Sequence, residues 1–295
     1  MSIDNFPCCD YNIYMDNKKI DLHTHTIYSD GSMSPAELIA KAKKDAVDTL
    51  SITDHDTVEA YKNLPTQLSS CKILIVPGIE FSCVEDDVAI HLLGYGIDVK
   101  NGGVNQIAQH IRDIQLTKAT VFKNILYDYK LASVADVIDD KITKNFGLRN
   151  YSFYNALKDS GVDPATSLKI KQKYKNCIAF LDSIETYTDE VISVIKSAGG
   201  LSILAHPGEY NLNNIKTFEL LDKLVKKDLN GVEIFHSANS SELQVMLDAF
   251  CKDNHLLVTG GSDYHSGETT LGALDNPVIN TKISKEILDK SEYEL

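Results

Sequence analysis

The sequence has no apolar run long enough to cross a bilayer, and its N-terminus has no basic start followed by an apolar block. A membrane-spanning helix and a secretory signal peptide are therefore not expected. We predict a cytoplasmic protein in which residues 1–19 form a short leader before the first strand. The six cysteines include no C-x-x-C pair, which favours reduced thiols over a disulfide framework or a thiolate zinc site.

Basic residues are scarce relative to acidic ones. The chain has 42 acidic and 29 basic residues, and its net charge is −13. A protein that binds duplex nucleic acid needs basic residues to neutralise phosphates, so this class of partner is not expected. A small phosphorylated substrate remains compatible with the charge, because bound divalent metal ions supply strong local positive charge.

Short apolar segments alternate with helix-forming segments over most of the 295 residues, a length that suits one α/β barrel with an insertion. The first helix is predicted to begin after Ser34, because Pro35 suits the first helical position and Glu37 completes a capping box. The alternation favours a largely parallel sheet. The predicted strands are residues 20–25, 49–53, 72–81, 88–95, 201–206, 231–235 and 256–260.

The pattern changes between residues 105 and 180, where the sequence is polar and reads as helix. We interpret residues 105–180 as a helical insertion domain, since about 75 residues lies within the common size range of small domains. The barrel would then be formed by residues 20–104 and 181–295.

Histidine and acidic residues gather where the predicted strands end. His23 and His25 lie two residues apart on one strand, so their side chains project from the same face. Alone, this pair is a modest signal, because packed or surface histidines are common. The carboxyl ends of barrel strands meet on one side, where barrels hold their active sites. Further candidates in or just after the predicted strands are Asp30, His55, Glu80, His91, His206, Asp263 and His265.

This donor set consists of imidazole and carboxylate groups without thiolate. Such donors suit zinc, manganese or iron(II), and their number exceeds what one ion can use. We therefore expect two or three divalent metal ions. Close ions bridged by carboxylate and hydroxide suit in-line attack on a phosphate ester, which then requires no serine or cysteine nucleophile.

Four sequence blocks resemble the PHP (polymerase and histidinol phosphatase) family of metal-dependent phosphoesterases: DLHTHTIYSDG, ITDHDT, ILAHPG and GGSDYH. The resemblance spans about residues 20–275. It implies a distorted (β/α)7, TIM-like barrel with a trinuclear metal site. It also implies three ligand sets, namely His23, His25, Glu80 and Asp263 for the first metal, Asp30, His55 and His265 for the second, and Glu80, His91 and His206 for the third.

Within that family, the insertion and the AHPG block followed by Tyr210 resemble the branch that acts on nucleotides. Its members are nucleoside 3′,5′-bisphosphate phosphatases and 5′→3′ exoribonucleases that act on short RNA. Many carry Arg-x-His in the insertion, where it contacts substrate phosphate. The corresponding stretch here is Arg149-Asn-Tyr151, so the resemblance assigns substrate binding to Arg149, whereas Tyr151 cannot carry the positive charge of a histidine.

Two further candidates carry less specific signals. His236 closes a predicted strand and is interpreted as a substrate contact, or as the acid that protonates the leaving group. Asp54 and Asp56 flank His55, and either could orient that ring or act as a catalytic acid. A purely structural role is the alternative for His236.

These observations favour an enzyme that hydrolyses a phosphate monoester of a nucleotide, or the 5′ end of short RNA, by a metal-bridging hydroxide. Histidinol phosphate or another small phosphate ester is the alternative substrate. A metallo-amidohydrolase also begins with H-x-H on a strand, but Glu80, Asp30 and the final D-x-H pair fit it poorly. A non-catalytic metal-binding domain is disfavoured, because all nine expected ligand positions are filled.

Overall fold

The computed structural model describes residues 19–64, 73–144, 150–179, 181, 185–267, 270–272, 285–290 and 293–294. The strands fall into two sheets. The first contains β1 (Ile20–Asp21), β2 (Thr49–Leu50), β3 (Leu74–Ile75) and β9 (Tyr293–Glu294). The second contains β4 (Gly78–Glu85), β5 (Val88–Tyr95), β6 (Leu201–Leu204), β7 (Gly231–Phe235) and β8 (Leu257–Gly260). Among the described residues, no helix is long and apolar enough to span a membrane.

The α/β prediction is confirmed, but a closed barrel is not detected in the described part of the chain. β1, β2 and β3 pair in parallel, and so do β6, β7 and β8. Two isolated bridges connect the sheets: Thr24 pairs with Tyr264 beyond β8, and His55 beyond β2 pairs with Glu80 in β4. Through these bridges, the segments that follow β1 and β2 reach the edges of the second sheet.

The expectation of largely parallel pairing is wrong for β5, which runs antiparallel to both β4 and β6. Only Asp86 and Asp87 separate β4 from β5, and both have positive φ, 47° and 62°. Two central residues at positive φ form the turn that joins antiparallel strands in a hairpin, whereas a parallel partner needs a long crossover. The hairpin was missed because this turn contains no glycine or asparagine.

Helices cover the sheets and fill the segment between β5 and β6. The capping box is confirmed at α1, where Ser34 Oγ accepts a hydrogen bond from the Glu37 N–H and the Glu37 carboxylate accepts one from the Ser34 N–H. The helices are α1 (Pro35–Lys44), α2 (Glu59–Lys62), α3 (Gly102–Asp128), α4 (Ala132–Lys144), α5 (Asn150–Asp159), α6 (Pro164–Ile178), α7 (Thr188–Ser197), α8 (Asn214–Val225), α9 (Ser241–Asp253) and α10 (Lys285–Leu288).

The long helix α3 contributes to two separate hydrophobic cores. Near its N-terminus, Val104 and Ile111 are buried in the core of the α/β body. Near its C-terminus, Phe122 stacks on Phe153 with ring centroids 5.0 Å apart and meets Tyr174 edge-on at 5.2 Å, within a second core built from α3 to α6. The helical character predicted for this segment is thus observed, while its division from the barrel at residues 105 and 180 stays a prediction.

Replacing Phe122 by alanine should disrupt this second core. Phe122 is fully buried, so Phe122→Ala is expected to lower the free energy of unfolding by about 3–5 kcal/mol. Urea denaturation followed by circular dichroism measures the change. The matched control is Leu168→Ala on α6, where the side chain is 68% exposed and an effect within about 0.5 kcal/mol is expected. Equal effects of the two substitutions would contradict this account of the core.

Candidate metal centre

The nine residues predicted as metal ligands come together in one cluster. Each is carried by a segment within or directly after a strand, so residues distant in sequence meet at one place. His23, His25 and Asp30 follow β1, His55 follows β2, Glu80 lies in β4, His91 lies in β5, His206 follows β6, and Asp263 and His265 follow β8.

Four of these residues form a compact first group. His23 Nε2 lies 3.3 Å from both Glu80 Oε2 and Asp263 Oδ1. His25 Nε2 lies 3.4 Å from the same Glu80 oxygen and 2.9 Å from the same Asp263 oxygen. All four atoms are buried. Ligand atoms placed about 2.1 Å from a shared ion in a tetrahedron lie about 3.4 Å apart, so the group fits a divalent metal ion.

A second group contains Asp30, His55 and His265, next to His25. His265 Nε2 lies 3.1 Å from Asp30 Oδ1, and His55 Nε2 lies 3.8 Å from Asp30 Oδ2. The Nδ1–H of His265 donates to the carbonyl oxygen of Asp263 at 2.8 Å. That hydrogen bond selects the tautomer in which Nε2 presents its lone pair to the group.

A third group forms around the other oxygen of Glu80. Glu80 Oε1 lies 2.8 Å from His206 Nε2 and 3.0 Å from His91 Nδ1, and these two nitrogens are 3.4 Å apart. Glu80 Oε2 faces the first group and also lies 2.8 Å from His55 Nδ1. The carboxylate of Glu80 therefore stands between all three groups.

Without metal, the cluster holds ionised carboxylates beside protonated rings. Burial alone would raise the pKa of Glu80, but His55, His23 and other histidines hold that pKa well below its usual value. Burial lowers the pKa of His23, yet the carboxylates of Glu233 and Asp263 outweigh it and set that pKa well above its usual value. Burial also lowers the pKa of His265, but hydrogen bonding to Asp30 raises it to about 9. Divalent ions would take the place of these protons.

Glu233 is a supporting residue that the sequence analysis missed. It lies fully buried in β7, where Oε1 accepts a hydrogen bond from His23 Nδ1 at 3.0 Å and Oε2 accepts one from the His206 backbone N–H at 2.9 Å. The carboxylate of Glu233 thus orients the ring of His23 in the first group and fixes the segment that carries His206 in the third group. The available signal was an acidic residue inside the otherwise apolar strand GVEIF.

Asp54, predicted either to orient His55 or to act as a catalytic acid, forms hydrogen bonds with the segment that follows His25. Its carboxylate accepts hydrogen bonds from the Thr26 backbone N–H and hydroxyl, both at 2.6 Å, and from Ser29 Oγ at 2.7 Å. Ser29 Oγ is in turn 3.4 Å from His25 Nδ1. Asp54 therefore fixes the segment after His25 and acts on that ring, rather than on His55 as predicted.

Asp56 also has a bonding role, because its carboxylate accepts from the Ser82 backbone N–H at 2.7 Å and from Ser82 Oγ at 2.8 Å. These bonds attach the segment that carries His55 to β4. Like Asp54, it presents its oxygens to protein donors.

His236 lies beside the first group, as a substrate-contacting residue would. Its Nδ1 accepts a hydrogen bond from the Ala238 N–H at 3.1 Å, so the neutral ring carries its proton on Nε2. Nε2 lies 3.6 Å from Asp263 Oδ2. Arg149 and the side chain of Tyr151 lie outside the described residues.

The backbone at the cluster is constrained. Asp263 has a φ of 52°, a conformation that costs energy for a residue with a side chain and that clusters at functional sites. At Gly261, an added Cβ would lie 2.3 Å from the Cβ of His23, so only glycine allows β8 to pass this close to the first ligand.

Comparisons with known proteins agree with this geometry. A family model described as PHP domain matches residues 21–289. The chain is 25% identical over 249 residues to the 5'-3' exoribonuclease Rnm of Escherichia coli strain K12. The aligned region covers 83% of this chain and 84% of that relative. It is also 25% identical over 249 residues to a 3',5'-nucleoside bisphosphate phosphatase of Chromobacterium violaceum, covering 84% and 87% of the two chains.

Among solved structures, a protein from Bifidobacterium adolescentis described as a metal-dependent phosphoesterase has a TM-score of 0.68 and 24% sequence identity to this chain. The superposition covers 94% of this chain and 97% of that one. This likeness establishes a common fold.

Removing the charge of Glu233 should weaken metal binding. Glu233→Gln is expected to reduce the affinity for Mn²⁺ by about 10- to 100-fold, because His23 loses the carboxylate that orients its ring. Titration of the metal-free protein with Mn²⁺ measures this. Glu242→Gln, on the exposed surface of α9, is the control. Unchanged affinity in Glu233→Gln would show that the hydrogen bond to His23 does not support the site.

Metal affinity should rise with pH. Because the pKa of His265 is raised to about 9 in the metal-free protein, an ion that binds at pH 7 must displace a proton, and this competition weakens as the pH rises toward 9. Competition titrations with a chromophoric chelator between those pH values measure the trend. An affinity that stays constant or falls over this range would contradict the assignment of His265 as a protonated ligand.

Proposed function

The chain belongs to the PHP-domain family, and on that premise we propose that it is a metal-dependent phosphoesterase whose substrate is a phosphorylated nucleotide, such as a nucleoside 3′,5′-bisphosphate, or the 5′ end of short RNA. The observation that carries this proposal is the cluster in which Glu80 joins three groups of nitrogen and oxygen ligands. Such a cluster suits hydrolysis at phosphorus, where no protein nucleophile is required.

We propose that the cluster binds two or three divalent ions, with Mn²⁺, Zn²⁺ and Fe²⁺ as the candidates. His23, His25, Glu80 and Asp263 would hold one ion, Asp30, His55 and His265 a second, and Glu80, His91 and His206 a third. Bound ions would supply Lewis acidity toward the phosphate and a hydroxide at neutral pH. The donor set fits these ions, because it combines imidazole with carboxylate and contains no thiolate.

The chain's own residues would orient the substrate. His236 carries its proton on Nε2 beside the first group, so it can donate a hydrogen bond to a phosphate oxygen or protonate the departing oxygen. Glu233 and Asp54 would position ligand rings, since their oxygens accept hydrogen bonds from the rings, from backbone N–H groups or from hydroxyls beside them.

The nucleotide assignment rests on the relatives, one named an exoribonuclease and one a nucleoside bisphosphate phosphatase. A small substrate or a short oligonucleotide also suits the net charge of −13, which opposes binding of a long polyanion. For the architecture, we propose that the two sheets together correspond to the distorted (β/α)7 barrel, because the bridges at Thr24 and His55 link the first sheet to both edges of the second.

Phosphate release from the metal-loaded protein tests the proposal. The panel contains a nucleoside 3′,5′-bisphosphate, a 5′-phosphorylated short RNA and histidinol phosphate, the alternative substrate. We expect turnover of a nucleotide, and a loss of at least about 100-fold in kcat/KM in His23→Ala and in the more exposed Asp30→Asn.

His110→Ala on the exposed face of α3 is the matched histidine control and should retain full activity. Hydrolysis of histidinol phosphate alone would replace the nucleotide by the alternative substrate. Metal binding without release from any of these esters would contradict the proposed function.

A further inference from the structure

A pocket of about 550 Å³ lies beside the metal cluster. His91 forms part of its wall, and the same ring lies 3.0 Å from Glu80 in the third ligand group. A molecule whose phosphate reaches the cluster could therefore extend into this pocket. The volume falls within the usual range of small-molecule sites.

Two walls of the pocket come from the α/β body and from helix α3. One wall is the β4–β5 hairpin, with Val84 and Ile90 among its lining residues. The facing wall is the middle of α3, from Ile111 to Lys118. Ile114 is buried, belongs to neither core cluster and lines the pocket.

A short segment after His206 lines the pocket next to His91. The Tyr210 hydroxyl donates to the Ala205 carbonyl at 2.6 Å and accepts from the His91 N–H at 3.1 Å. These bonds hold a tyrosine ring, with Leu212 beyond it, against the strand that carries His91. The pocket thus has a fixed aromatic and aliphatic surface adjacent to a predicted metal ligand.

The charges around the pocket oppose a second phosphate. Glu185, Asp87 and Glu209 line it, against a single lysine, Lys118. Lys118 already forms an ion pair with Glu185. The remaining lining is aliphatic or carries neutral polar groups such as the amide of Gln115, which can pair with the edge of a base.

We propose that this pocket binds the base of the nucleotide whose phosphate is hydrolysed, and that the walls from α3 and the β4–β5 hairpin determine the preference for nucleotides. A planar, uncharged heterocycle matches the aliphatic lining, the neutral amide and the excess of acidic groups. This assignment rests on the proposed function and specifies which part of the substrate the pocket recognises.

The test fills the pocket from two sides. Ala89 on β5 is exposed and lines the pocket, so Ala89→Trp introduces bulk without disturbing a core. Gln115→Trp does the same from α3 and provides a second variant. Leu116→Trp is the matched control, because Leu116 is 40% exposed on α3 and does not line the pocket.

Each variant is assayed with the nucleotide that the wild type hydrolyses best and with its abasic counterpart, in which hydrogen replaces the base. The wild type should prefer the nucleotide. Ala89→Trp and Gln115→Trp should each lower kcat/KM for the nucleotide by about tenfold or more, with the abasic ester changed by less than about twofold. Leu116→Trp should change neither value, and unchanged thermal unfolding verifies that the variants are folded.

Equal losses on both substrates, or no loss on the nucleotide, would overturn the pocket assignment while leaving the phosphoesterase proposal intact. A wild type that hydrolyses the abasic ester as well as the nucleotide would do the same. A wild type that hydrolyses neither would instead contradict the proposed function itself.

Discussion

The structure depends on one fully buried carboxylate, that of Glu80. One of its oxygens faces His23, His25 and His55, and the other faces His91 and His206. Burying a carboxylate is unfavourable unless positive charge compensates it. Protonated histidines supply that charge in the metal-free protein, and divalent ions would supply it in the loaded one. Four strand-associated segments thus converge on one buried carboxylate whose charge must be compensated.

The sequence predicted which residues gather in the cluster because their positions follow from strand geometry. His23 and His25 had to share a face, and residues that close neighbouring strands had to meet at one side. Local signals also sufficed for α1, whose capping box needs only Ser34, Pro35 and Glu37. In these cases the decisive interactions lie within a few residues, or follow from a period of two along a strand.

The sequence could not predict contacts that depend on distant segments. Glu233 lies 210 positions from His23, and the local sequence GVEIF does not indicate which histidine ring forms a hydrogen bond with its carboxylate. Asp54 was assigned to its neighbour His55, whereas its hydrogen bonds go to Thr26 and Ser29 because β1 and β2 are adjacent in the sheet. The antiparallel course of β5 depends on two aspartates at positive φ, a conformation that their side chains do not require.

The helix α3 forms one wall of the pocket next to the metal cluster, where we propose that the base of the substrate binds. Its N-terminal part is anchored in the α/β body and its C-terminal part in the helical core, so its middle forms a wall near His91 whose composition can vary without altering the metal ligands.

The central claim is that Glu80 joins several metal positions, and counting the Mn²⁺ ions bound per chain during titration of the metal-free protein tests it most directly. The account predicts two or three ions per chain. Binding of one ion or none would contradict it.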